Sequence, residues 1–96
     1  GTVYAVPALP RDQGPPADHL RRVSGDWVVE VAHSHNLVVL RTPPGSAHVV
    51  ASALDRSSLP EVLGTVAGDD TLIIVADEEV PGSTLADQLR ELAGLA

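Results

Sequence analysis

The sequence predicts an α+β fold in which helices pack on one face of a four-stranded, mainly antiparallel sheet. Three observations favour this fold. Two pairs of β-type apolar runs are each separated by only a few turn residues, as in antiparallel hairpins. Segments with helical apolar spacing precede each pair and follow the second pair. The 96 residues, of which 44% are hydrophobic, suffice for one compact domain.

The start of the chain is rich in proline and predicts a linker followed by a short helix. Thr2–Val6 alternates like the end of a strand, and Pro7 stops it. Pro10–Pro16 has the composition of a linker. Ala17–Val23 has apolar residues at helical spacing, and the proline before it suits the first turn of a helix.

The first pair of apolar runs predicts a hairpin. Asp26–His33 places Trp27, Val29 and Val31 on one alternating set, which is the period of a strand with one covered face. The next three residues, SHN, favour a turn. Leu37–Thr42 is nearly all apolar, so we expect a better buried strand that pairs with the first one.

The segment after this hairpin predicts a helix with a polar stripe. Two prolines end the preceding strand, and Ser46 is available as the N-cap of a helix that continues to about Arg56. Its apolar residues repeat at i, i+3, i+4 and i+7 and should face the core. His48, Ser52 and Asp55 fall at i, i+4 and i+7, so they form a separate polar stripe.

The second pair of apolar runs predicts a hairpin whose tip carries two carboxylates. Val62–Ala67 and Thr71–Ala76 are β-type runs. Gly68, Asp69 and Asp70 lie between them and favour a tight reversal. The two aspartates are therefore expected at the tip.

The end of the chain predicts a last helix. Ser83 or Thr84 is available as its N-cap, and Asp87 has the position of a capping-box acid relative to Thr84. A stripe of leucines gives the helix an apolar face, and Gly94 marks its end.

The central strands predict an oligomer. Leu37–Leu40 and Leu72–Val75 are apolar on both alternating sets of residues. A sheet covered by helices on one face only would then expose an apolar patch on the other face. Self-association is the simplest way to bury that patch.

Composition limits the classes of function. The chain has no cysteine, which excludes disulfides and thiolate metal sites and is compatible with a cytoplasmic protein. No apolar run is long enough to span a membrane. Thirteen acidic residues face six arginines and no lysine, the opposite of the basic surface that binds a phosphate backbone. The sequence begins without methionine, so we expect a piece of a longer protein.

The adjacent aspartates Asp69 and Asp70 have three interpretations. Two carboxylates about 5 Å apart repel each other by roughly 1 kcal/mol in water, so they would attract a cation. They also serve as ordinary solvated turn residues. A divalent metal is the third interpretation, and it would make the chain a small metal-dependent enzyme. A polymerase centre, which also uses the letters GDD, needs a basic channel and further carboxylates that this chain lacks.

Other constellations favour no chemistry of their own. His48 and Asp55 with Ser46 or Ser52 contain the residue types of a hydrolytic triad, but no nucleophile elbow is present and a surface stripe is favoured. The three histidines His33, His35 and His48 lack the spacing of a zinc site. We predict no catalytic residues and no metal ligands. A ligand-independent assembly module is a further alternative.

Two long segments resemble the C-terminal domain of the bacterial arginine repressor family. They are NLVVLRTPPGSAHVVASALD, which starts at Asn36, and EVLGTVAGDDTLIIVA, which ends at Ala76. The resemblance rests on a PGxA helix start followed by GTxAGDDT at the distance expected in that family. The resemblance is close from Asn36 to Ala76 and looser through the last helix.

The resemblance implies a function and an assembly. Residues 1–16 would be the end of a winged helix-turn-helix DNA-binding domain with a proline-rich linker, and residues 17–96 would form an oligomerisation and L-arginine-binding domain. In the family this domain forms trimers that stack as a hexamer, with L-arginine, the corepressor, bound between the trimers. Operator DNA would be bound only through the N-terminal domain. No other cofactor is implied.

The resemblance also implies the ligand-binding residues. Asp69 and Asp70 correspond to the ligand-contacting pair, with Asp69 facing the guanidinium of arginine. Asp55 corresponds to a helix acid that helps to hold the ligand, and backbone groups around Thr65 and Ala67 would line the pocket. His48 stands where many relatives have glutamine, so the charge of this side chain depends on pH.

Overall fold

The computed structural model describes residues 15–95. In chain order, its elements are α1 (Pro16–Trp27), β1 (Glu30–Ser34), β2 (Leu37–Arg41), α2 (Ala47–Ser57), β3 (Val62–Ala67), β4 (Thr71–Ala76) and α3 (Gly82–Ala93). The predicted order of helices and strands is confirmed within these residues. The predicted strand Thr2–Val6 and most of the predicted linker lie outside the described residues.

The four strands form one sheet in the order β1-β2-β4-β3, and every neighbouring pair is antiparallel. Both predicted hairpins are therefore present, and the apolar strands β2 and β4 are central. Strand β3 lies at an edge and contains an irregularity between Val62 and Gly64, where Leu63 has no partner in the register. This edge strand packs against α2.

The core lies between one face of the sheet and the three helices. Helices α2 and α3 pack on the sheet, and α1 packs across both of them. The largest fully buried side chains come from all three helices and from the two central strands. They are Leu20, Leu40, Leu54, Leu72, Ile74, Leu85, Val38 and Val50. The predicted α+β architecture with helices on one face is confirmed.

The other face of the sheet, here called the open face, is apolar and uncovered within residues 15–95. One row of paired residues crosses all four strands and consists of Ala32, Val39, Ile73 and Val66. The neighbouring row on this face adds Leu37 of β2 and Val75 of β4. The open face consists of Ala32, Leu37, Val39, Val66, Ile73 and Val75. Leu37 is 42% exposed, Ile73 39% and Val66 66%. A patch of this kind is typical of an interface.

The boundary between α1 and β1 differs from the predicted one. Helix α1 continues to Trp27, well past the predicted end at Val23, and β1 begins only at Glu30. Val28 is buried and Val29 is exposed, the reverse of the predicted alternation. Short apolar runs do not distinguish a helix end from a strand start by period alone.

The predicted helix caps are also wrong in detail. Ser46 is the N-cap residue of α2, but its backbone is helical and its side chain makes no capping hydrogen bond. The N-cap of α3 is Pro81 and not Ser83 or Thr84. Asp87 is not a capping-box acid, because its carboxylate accepts a hydrogen bond from Arg90 at 2.9 Å.

Candidate functional site

The tip of the second hairpin is fixed to the start of α2 by backbone hydrogen bonds. The carbonyl oxygen of Asp69 accepts the N–H of Gly45 at 2.9 Å and that of Ala47 at 3.3 Å. The carbonyl oxygen of Asp70 accepts the N–H of Thr42 at 2.9 Å. Ala47 is the first residue of α2, whose N–H has no partner within the helix. The hairpin tip therefore supplies the cap that Ser46 does not.

This anchoring leaves the two acidic side chains exposed at the molecular surface. The Thr71 hydroxyl donates to Oδ1 of Asp70 at 3.0 Å. The carboxylate of Asp69, by contrast, has no hydrogen-bond partner among residues 15–95. Of the two, Asp69 is thus the carboxylate with its full accepting capacity available, and its main chain is held in place.

The polar stripe of α2 is confirmed and lies beside strand β3. His48, Ser52 and Asp55 are all exposed along the helix. Asp55 Oδ1 accepts a hydrogen bond from the hydroxyl of Thr65 at 3.3 Å, which joins α2 to β3. Ala67 is exposed at the end of the same strand. All six predicted ligand-binding residues therefore lie on α2, β3 or the hairpin tip.

Three carboxylates of this site are not neutralised within the described chain. The one ion pair found among residues 15–95 joins Arg90 and Asp87 on α3. Asp55 lies in the last turn of α2, where the helix dipole disfavours a negative charge. Asp55 thus lies near the C-terminal end of α2 and the tip aspartates near its N-terminal end, and none of the three carboxylates forms an ion pair within residues 15–95.

Within residues 15–95, the side chains are not arranged as the metal and triad interpretations require. No group of three or more histidine, cysteine, aspartate or glutamate side chains is placed to hold a metal ion in residues 15–95. His33 and His35 lie at the end of β1 and in the turn after it, whereas His48 lies on α2. The partner of Asp55 is Thr65 and not a histidine.

A cavity beside Asp55 was not predicted from the sequence. It has a volume of about 200 Å³ and opens between the end of α2 and the start of β3. Its lining consists of Leu54, Asp55, Ser58, Leu59, Val62, Leu63 and Gly64. No sequence pattern indicates the irregular register around Leu63, so the cavity could not be predicted from the sequence.

One histidine outside this site has a shifted pKa. Burial lowers the pKa of His19 on α1, and the positive charges of Arg56 and Arg22 lower it further. Its Nδ1 atom is enclosed and has no hydrogen-bond partner among the described residues. This group belongs to the contact between α1 and α2 and not to the acidic site.

Comparison with known proteins identifies the family. The family model described as "Arginine repressor, C-terminal domain" matches residues 25–91. The chain belongs to this family. It is also 49% identical over 87 residues to a protein of Heliobacterium modesticaldum named "Arginine repressor". That match covers 91% of the chain and 58% of the relative's length.

The arginine repressor family model spans every residue of the candidate site, from His48 to Asp70. It ends before the end of α3 and begins within α1. The chain thus spans a little over half the length of the relative it matches. None of the helices in residues 15–95 combines the length and the hydropathy that a membrane span requires.

Proposed function

We propose that the chain is the L-arginine-sensing and oligomer-forming domain of a transcriptional repressor of arginine biosynthesis genes. The observation that carries the proposal is the Asp69 side chain, which is exposed and unbonded within the described chain while its carbonyl is fixed to α2. The family supports the repressor role. The corepressor is L-arginine, and the proposed site of action is the cytoplasm, where bacterial operators lie.

The proposed ligand contacts use the shape of the guanidinium group. This group is planar and carries five donors in a fixed fork, so a carboxylate such as Asp69 binds it through two parallel hydrogen bonds. Asp70 adds negative charge beside it. Asp55 faces the α-ammonium of the ligand or a neighbouring group, and His48 contributes a polar contact. Backbone groups around Thr65 and Ala67 complete the pocket.

The proposed assembly is a trimer that stacks into a hexamer. The open face supports self-association, because Leu37, Ile73 and Val66 are exposed apolar residues on one uncovered surface. Arginine would bind between the stacked trimers, where acidic residues from both sides repel each other until the ligand arrives. Ligand at a hundred times its Kd stabilises the bound state by about 2.7 kcal/mol for each independent site. Linkage requires that assembly strengthen arginine binding by the same factor.

DNA binding is assigned to a domain that precedes this one. Residues 1–16 would be the end of a winged helix-turn-helix domain and the linker to residues 17–96. The formal charge of −7 makes the present chain unsuited to phosphate contacts. Its oligomer would instead present several DNA-binding domains to neighbouring half-sites, which raises the overall affinity for the operator.

The test is light scattering and thermal melting with arginine, citrulline or lysine. Citrulline has nearly the shape of arginine but no charge, and lysine has the charge but no fork. The proposal expects arginine to promote the larger assembly and raise Tm most. Equal stabilisation by all three ligands would reject the guanidinium contact. Oligomers that ignore arginine would favour an assembly module, and turnover that depends on a metal would favour an enzyme.

A further inference from the structure

The contact between Thr65 and Asp55 joins two different elements of the proposed site. The threonine hydroxyl donates to Asp55 Oδ1 at 3.3 Å, from strand β3 to the last turn of α2. A second threonine, Thr71, donates to Asp70 at 3.0 Å, but these two residues are neighbours in the chain. Only the first of these two contacts orients one element relative to another.

The position of the Thr65 hydroxyl is set by the sheet. Thr65 pairs with Ile74 of β4, and its half-buried side chain lies on the helix-facing side together with the buried Ile74. Threonine is branched at Cβ, so its χ1 angle is restricted. The hydroxyl is therefore a donor whose position depends on the register of β3.

The Asp55 carboxylate has little else to define its orientation. It is exposed, and among residues 15–95 it forms no ion pair. The terminal torsion of an aspartate is broad, so an unbonded carboxylate samples many orientations. A donor on Oδ1 restricts that torsion and leaves Oδ2 available for a ligand. Fixing a side chain before binding reduces the entropy lost when the ligand binds.

We infer that Thr65 is a positioning residue for arginine, acting through its side-chain hydroxyl on the Asp55 carboxylate. The inference rests on the proposed function and adds to it, because the proposed pocket uses only backbone groups near Thr65. Thr65 does not need to touch the ligand. It holds Asp55 in the orientation in which Oδ2 accepts a hydrogen bond from the cationic end of the ligand that faces α2.

The test is calorimetric titration of the assembled protein with L-arginine, using Thr65→Val and Thr65→Ser. Valine keeps the branched shape and the strand preference but removes the hydroxyl. We expect Thr65→Val to weaken arginine binding about 2- to 10-fold, the range of a single hydrogen bond, and Thr65→Ser to retain the wild-type affinity. Thr84→Val, at an exposed position of α3, is the matched control and should change nothing. Thr65→Ala replaces Thr65→Val if the latter does not fold.

The route through Asp55 is tested by a double-mutant cycle. In an Asp55→Ala background, Thr65→Val should cause no further loss of arginine affinity. An unchanged affinity in Thr65→Val alone, or an equal loss in the Asp55→Ala background, would overturn the inference while leaving the arginine site intact. Wild-type protein that binds no arginine would overturn the proposed function and this inference together.

Discussion

Each hairpin of the sheet has a tip that lies against the start of a helix. In the first tip, the carbonyl of His35 accepts the N–H of Gly82, the first residue of α3, at 2.7 Å. In the second tip, the carbonyl of Asp69 accepts the N–H of Ala47, the first residue of α2. Both tips thus satisfy a helix N–H that lacks a partner inside its own helix.

The two tips differ in what their polar side chains do. Asn36 of the first tip donates through Nδ2 to the carbonyl of Val80 at 3.0 Å, so its side chain serves the fold. The Asp69 side chain of the second tip has no such bond among the described residues, and the Asp70 carboxylate accepts a hydrogen bond from its neighbour Thr71. The same backbone arrangement holds a side chain that serves the fold in one tip and leaves two carboxylates exposed in the other.

The largest expected effect is on the first tip. Gly82→Ala would place a Cβ against the carbonyl of His35, much closer than real Cβ atoms approach. We expect a loss of about 2 kcal/mol in the free energy of unfolding, because backbone must move to relieve the contact. Denaturant titration measures this change in the free energy of unfolding. Arginine affinity should change little when measured in folded protein.

The control is Gly25→Ala in α1, where an added Cβ meets nothing within 4 Å. It should stabilise the domain by about 0.5–1 kcal/mol, since alanine is the better helix former. If Gly82→Ala lowers stability no more than Gly25→Ala does, the close approach of Gly82 to His35 does not constrain the first tip.

A smaller effect is expected for Asp55→Asn beside the second tip. The substitution removes a negative charge from the last turn of α2 and keeps an oxygen that accepts from Thr65. Without arginine, the domain should gain about 0.3–1 kcal/mol in unfolding free energy. With arginine, its gain in Tm should be smaller than that of the wild type.

The matched control is Glu91→Gln, which removes an exposed acid from the last turn of α3. It should give a similar gain in stability without ligand and an unchanged response to arginine. A loss of the arginine response in both variants would show that net charge, and not the position of Asp55, governs the response.

The smallest expected effect lies outside both tips, at His19. Burial and the nearby Arg56 and Arg22 lower its pKa in the folded chain. The unfolded chain then binds more protons, so stability is fully present above about pH 6.5 and is lost as the pH falls below that value. Melting between pH 7 and 5, compared for wild type and His19→Gln, should show a shallower decline in the variant. His33→Gln, at an exposed position, should decline like the wild type.

Local sequence patterns predicted most of the fold. The paired apolar runs located both hairpins, and the predicted strands on either side of the acidic tip, Val62–Ala67 and Thr71–Ala76, have the bounds seen in the structure. The end of α1 was missed because Trp27 continues an apparent alternation into a strand. The start of α3 was missed because Gly82 contacts His35, which is distant in the chain. Contacts of that kind leave no periodic signal.

The sequence predicted where two parts of the candidate site lie in the fold, but not the hydrogen bonds inside it. The polar stripe of α2 and the tip aspartates follow from spacing and turn chemistry. The backbone bond from Ala47 to Asp69 and the hydroxyl bond from Thr65 to Asp55 depend on how α2 packs against β3. Neither pair is close in sequence, so only the folded chain reveals which acid is bonded and which is unbonded.

The most direct test of the account is calorimetric titration of Asp69→Asn with L-arginine. The account predicts a ligand-free Tm no lower than that of the wild type, because the main-chain bonds of the tip remain and one of the repelling charges is removed. It predicts an arginine affinity lower by about 10- to 100-fold, the range of a hydrogen bond to a charged group. Asp26→Asn, the same change of charge at an exposed position of α1, should bind arginine like the wild type. Wild-type affinity in Asp69→Asn would contradict the account.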